Sequence, residues 1–177
     1  MTFTQTLKLI TAIAVGSSLA NWTMAAEYQA GALSKKEVKF INDASEGGLM
    51  EVRMGELGQQ KGQSSDVKAL AHRLVTDHGK ANHELKQLAS SKGVTMPSQL
   101  PPKHEKMLEK LFSASDFDKQ FKDMAIKDHK KDIKEFERAL KNTEDADLRA
   151  WIAKTLPNLQ EHLRMAEQLG VTRTTSR

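Results

Sequence analysis

Four long stretches of this chain place their apolar residues at the 3.6-residue period of an amphipathic helix. Each carries a start signal. Ser34 with Glu37 makes a capping-box pattern ahead of a helix to about Lys61, and Ser64 or Ser65 opens a second to about Ser91, with Gly93 as its stop. Ser115 precedes a third, to about Lys141, and Asn142 or Thr143 precedes a fourth that ends at Gly170. No β-hairpin signal occurs. A few residues join the first segment to the second and the third to the fourth, so each pair should form an antiparallel hairpin. Between the hairpins lies GVTMPSQLPPKHEKMLEKLFSAS, far longer than the roughly 2–8 residues usual in bundles. Its Pro97, Pro101 and Pro102 suit an extended crossing, and KHEKMLEKLF suits a short extra helix. The pattern predicts an all-α, ferritin-like four-helix bundle over residues 35–170, built as two hairpins joined by a long crossover.

The ends read differently. Lys8, an apolar run from Leu9 to Ala20, and the small residues Thr23, Ala25 and Ala26 have the layout of a secretory signal peptide over residues 1–25. That run is shorter than the roughly 20 residues that cross a bilayer. Cleavage would leave no membrane-spanning segment and place the protein in the periplasm, with association to the outer membrane open; an uncut anchor is the competing reading. Residues 26–34 read as a flexible leader, and residues 171–177, ending TRTTSR, as a frayed tail. There is no cysteine, so packing and not disulfides must hold the fold. The net charge of +4 is spread over interleaved Lys, Glu and Asp, and aromatics are 5% of the chain. Neither a basic patch nor a stacking platform results, which argues against a nucleic-acid partner and leaves an unidentified envelope protein as the open partner class.

Within the apolar stripes stand ionisable residues. Helical geometry puts Glu51 on the first inward face, with Phe40, Ala44, Gly47, Gly48, Gly55 and Gly58. His78 shares the face of Val67, Leu74, Ala81 and Leu85; His129 and Asp132 fall among Phe121, Ala125 and Phe136; His162 falls among Leu159 and Ala166. With the second and third long helices parallel, Glu51, His78 and His129 share a layer within about one turn, with His162 somewhat offset. Four polar side chains converging from four helices is how bundles bind metals. An unpaired buried polar group costs about 1–3 kcal/mol, so the four require a common explanation. One is a single divalent transition metal, Zn, Cu, Fe or Mn, held by Glu51, His78, His129 and His162, with Asp132 in reserve; binding would weaken as pH falls towards and below about 6. The other is a non-catalytic envelope or stress module whose histidines form a closed hydrogen-bond network. No nucleophile–base pair or phosphate-cradling loop marks an enzyme, and no reaction is read from the residues. Asp77, Asp128 and Glu161, each just before a stripe histidine, could orient a neighbour's imidazole. Gly48 and Gly55 keep space around Glu51 or, equally, permit a close approach of two helices, whereas Gly62, His72, His83 and His104 read as exposed. Pro157 lies opposite the stripe.

The stretches INDASEGGLMEVRMGELG, VKALAHRLVTDHGKANHEL and AWIAKTLPNLQEHLRMAEQL together resemble the exported bacterial domain-of-unknown-function 4142 family, through their DH, TLP and H elements. The resemblance spans about residues 35–170 and implies the ferritin-like fold and export; it brings no activity. The wider ferritin-like group holds two irons with Glu-x-x-His on two helices. Val75 and Leu159 stand three residues before His78 and His162. Those two carboxylates are missing, which leaves a mononuclear site as the form the resemblance permits.

Overall fold

The computed structural model describes residues 32–170; residues 1–25, expected as a signal peptide, residues 26–31 and the tail 171–177 lie outside them. Among the described residues are five helices and no strand: α1 Lys35–Lys61, α2 Ser65–Ser91, α3 Pro102–Phe112, α4 Phe117–Asn142 and α5 Ala146–Gln168. The caps are local chemistry. Ser34 and Glu37 form the reciprocal box, with Ser34 N–H donating to Glu37 Oε2 at 2.8 Å. α2 ends in a Schellman motif: Gly93 takes φ +71, and Val94 N–H donates to Ala89 O at 2.8 Å. Two starts differ from the sequence expectation. Asp116 and Asp145 cap α4 and α5 by accepting from Lys119 N–H and Leu148 N–H, while Thr143 instead closes α4. Pro157 stays on the exposed face of α5, where the carbonyl it leaves free, on exposed Ala153, meets water.

Side-chain bridges fix the topology. Glu37, at the start of α1, accepts from the Thr143 hydroxyl at 2.6 Å, whereas Asp118, at the start of α4, accepts from Gln63 and Ser64 N–H beyond the end of α1. α1 and α4 are therefore antiparallel. Lys92, just past the end of α2, bonds Asp145 at the start of α5 at 2.6 Å, while Trp151 further along α5 donates through Nε1 to Ala81 O further back in α2, so α5 runs antiparallel to α2. Two hairpins joined by a long crossover result, as expected, with α3 in the crossover packed against α1 and α4.

The core is split. Around Met54, Leu70, Leu74, Phe121 and Ala125 lies one apolar cluster, which Leu111 of α3 completes; Ile41, Leu85, Phe136, Trp151 and Ile152 anchor another. Between them runs a polar layer of Glu51, His78, His129 and His162, all buried. α1 is rotated relative to the expected face: Ser45, Met50 and Met54 are buried while Phe40, Ala44 and Gly47 are half-buried. The crossover causes this, since α3 and Pro97, whose carbonyl accepts from Ser45, cover a second side of α1.

Of the two roles open to the glycines beside Glu51, the packing realises close helix approach. A Cβ on Gly48 would strike Asn82 Oδ1, and one on Gly55 would come 2.7 Å from the Ala71 carbonyl oxygen. Both therefore serve the close approach of α1 to α2 and not room around Glu51. Gly62 is buried, and its Cβ would fall 2.7 Å from Val67.

Candidate metal centre

Three helices each present one imidazole at the same level. His78 comes from α2 between Leu74 and Leu85, His129 from α4 between Ala125 and Phe136, and His162 from α5 between Leu159 and Ala166, all buried. Their ring centroids stand 5.2, 5.3 and 5.6 Å apart, a nearly equilateral triangle. One nitrogen of each lies within 4.8 Å of the other two.

Hydrogen-bond partners assign the tautomers. His129 Nδ1 lies 2.9 Å from the Ala125 carbonyl oxygen, which can only accept, so Nδ1 carries the hydrogen. His162 Nε2 lies 2.9 Å from Asp77 Oδ2, a carboxylate oxygen that also accepts from Arg73 Nε, so Nε2 is the donor there. Each neutral ring then has its lone pair on the remaining nitrogen. Those nitrogens, His129 Nε2 and His162 Nδ1, face each other at 3.3 Å. Two lone pairs in contact have no hydrogen between them. His78 adds Nε2, buried without a partner.

The electrostatics keep the rings neutral. Burial pushes His129 down to about 4, with His162 nearby lowering it further and the Ala125 bond partly opposing. Burial also drives His78 well below the ordinary histidine value, helped by the other two rings. His162 is lowered by burial too, against the opposing pull of Asp77. At neutral pH the three rings thus offer lone pairs and not protons, the state metal coordination requires. The group fits a metal ion.

Glu51 stands apart from this triangle. Its Oε1 lies 3.7 Å from His129 Nδ1, the ring nitrogen other than the one that meets His162. Both its oxygens are buried without a hydrogen-bond partner. Burial, with Asp128 and Asp132 close by, raises its carboxyl well above the usual range. Asp132 lies outside the triangle; burial lifts it to about 6, against the pull of Lys131.

The structure therefore brings His78, His129 and His162 together and sets Glu51 beside them. Asp77 orients His162, the role its position suggested, whereas Glu161 pairs with Arg164 on the surface. His72 and His83 are exposed; His104 is half-buried with Nδ1 unpartnered, because α3 turns it towards α1 and α4. It lines a cleft of about 270 Å³ that the helical period does not reveal, with Glu46, Glu51, Asp128 and Asp132 among its walls. That signal required the packing of α3, which periodicity alone does not supply.

Among the described residues no helix is long and apolar enough to cross a membrane. No curated protein matches the chain in sequence. Solved structures share its fold at low identity. CopM in the Cu(I)-bound form superposes with a TM-score of 0.65 at 19% identity, covering 75% of this chain and 93% of that one. CopM in the Ag-bound form gives 0.64 at 18%, with the same coverage. A DUF305 fragment from Deinococcus radiodurans gives 0.67 at 13%, covering 76% and 95%. Residues 23–169 match the family described as domain of unknown function DUF4142, and the chain belongs to that family.

Proposed function

We propose that this protein is an exported metal-binding protein of the cell envelope, which holds one transition-metal ion at His78, His129 and His162. The observation that carries the proposal is the lone-pair contact between His129 Nε2 and His162 Nδ1. A closed hydrogen-bond network explains the Ala125 and Asp77 contacts but leaves that contact, His78 Nε2 and both Glu51 oxygens unexplained. A cation between the rings satisfies the first two together. Ala125 O and Asp77 fix the tautomer and tilt of two ligands, the usual work of the groups behind a metal-bound histidine. Three imidazoles suit zinc or copper, and leave an open coordination position. Copper is the metal we propose, because affinity in the divalent series peaks there and CopM, which shares the fold, is known in Cu(I)-, Cu(II)- and Ag-bound forms. Glu51 completes the proposed set as the anion beside His129, a ligand if its side chain turns and otherwise the counter-charge. Export rests on the apolar segment after Lys8.

The test is metal content after equilibrium dialysis of chelator-stripped protein, purified without a nickel column, against Cu(II) or Zn(II) at pH 7. One ion per chain is expected in the wild type and in His72→Ala and His83→Ala. His129→Ala and His162→Ala should lose it. Equal content in all five would place the metal elsewhere.

A further inference from the structure

On the His162 side of the triangle, Arg73 bonds Asp77 at 3.0 Å, so a guanidinium stands where an incoming cation would pass. Beside His78 the recess next to Asn82 and Trp151 holds only about 30 Å³. A wider approach is the cleft of about 270 Å³ between α1, α3 and α4.

Its walls carry six carboxyl groups, on Asp43, Glu46, Glu51, Asp128, Asp132 and Glu135, against three lysines. Lys39 pairs with Asp43, and Lys131 reaches Asp132 and Glu135. Glu46, Glu51 and Asp128 are left with no Lys or Arg partner among the described residues. The inner acceptors are also unbonded: both Glu51 oxygens and Asp128 Oδ2 are buried without a hydrogen bond, as is His104 Nδ1 in the same cleft. Glu51, 1% exposed, is the most buried residue of the walls. From there His129 is one step away, 3.7 Å from Glu51 on its Nδ1 edge and turned to His162 on its Nε2 edge. A cation shedding water needs oxygen and nitrogen donors spaced along its path. This cleft offers them from rim to floor, and low-dielectric walls focus the field of its acids on the ion.

We propose that the cleft between α1, α3 and α4 is the port through which the metal ion reaches the histidines, with Glu51 and Asp128 drawing it inward and the His129 ring as the last barrier. The inference rests on the metal reading above. To let the ion pass, His129 leaves its bond to the Ala125 carbonyl, which fixes the Nδ1 edge of the ring on the side of Glu51. The rim acids act on the rate of loading and not on the bound state, because they lie outside the ligand group.

Stopped-flow mixing of chelator-stripped full-length protein with Cu(II), followed by quenching of tryptophan fluorescence, measures loading; dialysis measures the final content. The double change Glu46→Lys with Glu135→Lys should slow loading about tenfold at low salt, less at high salt, and leave one ion per chain. Gly47→Trp is a plug that does not depend on charge. A Cβ at Gly47 meets Asp132 Oδ2 at an ordinary 3.6 Å, so the helix accepts a side chain there that fills the cleft. It should slow loading at every salt concentration. Glu56→Lys, exposed and outside the cleft, should load at the wild-type rate. If the charge variant fails to fold by circular dichroism, the plug alone decides. Wild-type rates in the folded variants overturn the port, and slow loading in Asp77→Asn alone would move it to the His162 side. A wild type that takes up no metal at all overturns the metal reading itself.

Discussion

His129 and His162 each spend one ring nitrogen on an acceptor outside the triangle, and this is what turns their other nitrogens into facing lone pairs. Nitrogen-15 correlation spectra of the imidazoles should show His129 protonated on Nδ1 and His162 on Nε2 in the metal-free protein. A hydrogen on His162 Nδ1 would mean an ordinary hydrogen bond between the rings. Burial gives the layer a definite pH response. His129, at about 4 when folded against an ordinary 6.5, binds fewer protons in the folded state than in the unfolded one. The stability it contributes is therefore complete above about pH 6.5 and lost as pH falls towards 4. Urea midpoints of the metal-free protein should drop across that window, and the drop should shrink in His129→Phe. Metal binding should likewise persist below the pH of about 6 expected for unperturbed histidines. Glu51 has the opposite sign: its raised pKa makes ionisation a cost to the fold at neutral pH. Glu51→Gln removes the ionisable group and should raise the stability of the metal-free protein at high pH, where ionisation costs most, and a fall would show that the carboxylate is already partnered.

The helices were legible in sequence because their caps and period are local. The bounds of α1 and α2 agree with the Ser34 and Ser64 signals, and Gly93 ends α2 where expected. Where two polar residues competed for a cap, at Ser115 with Asp116 and at Thr143 with Asp145, the aspartate took it. Side chains between elements were less legible. Face arithmetic put the three histidines inward, but which ring nitrogen faces which partner depends on helix rotation. Two sides of α1 are covered because α3 folds back on it, so Ser45 and Met50 are buried and His104 is drawn inward. The glycines show the same limit, and they separate helix propensity from packing. Gly79, where an added methyl would have nothing within 4 Å, should gain about 0.8–1 kcal/mol on change to Ala. Gly55→Ala gains the same propensity yet drives a Cβ against the Ala71 carbonyl, so a net loss of about 1–2 kcal/mol is expected. Chemical denaturation of the two variants checks both signs; a stabilised Gly55→Ala would mean that α1 and α2 separate easily.

Across the whole molecule, the polar layer interrupts an otherwise apolar interior and divides it into two clusters. With no disulfide in the chain, those clusters must carry the stability that the layer lowers, and a bound ion would return it. An ion that binds only the folded state adds about 2.7 kcal/mol at a hundred times its Kd. Loss of that increment in His78→Ala, with the metal-free variant still folded, would tie the effect to the triangle and not to surface carboxylates. Calorimetric titration of the chelator-stripped wild-type chain with Cu(II), repeated on the triple variant His78→Ala, His129→Ala, His162→Ala, addresses the site most directly. One ion per chain at pH 7 in the wild type, with that heat gone in the triple variant, is the predicted result; no binding by the wild type, or binding that survives loss of all three histidines, would contradict it.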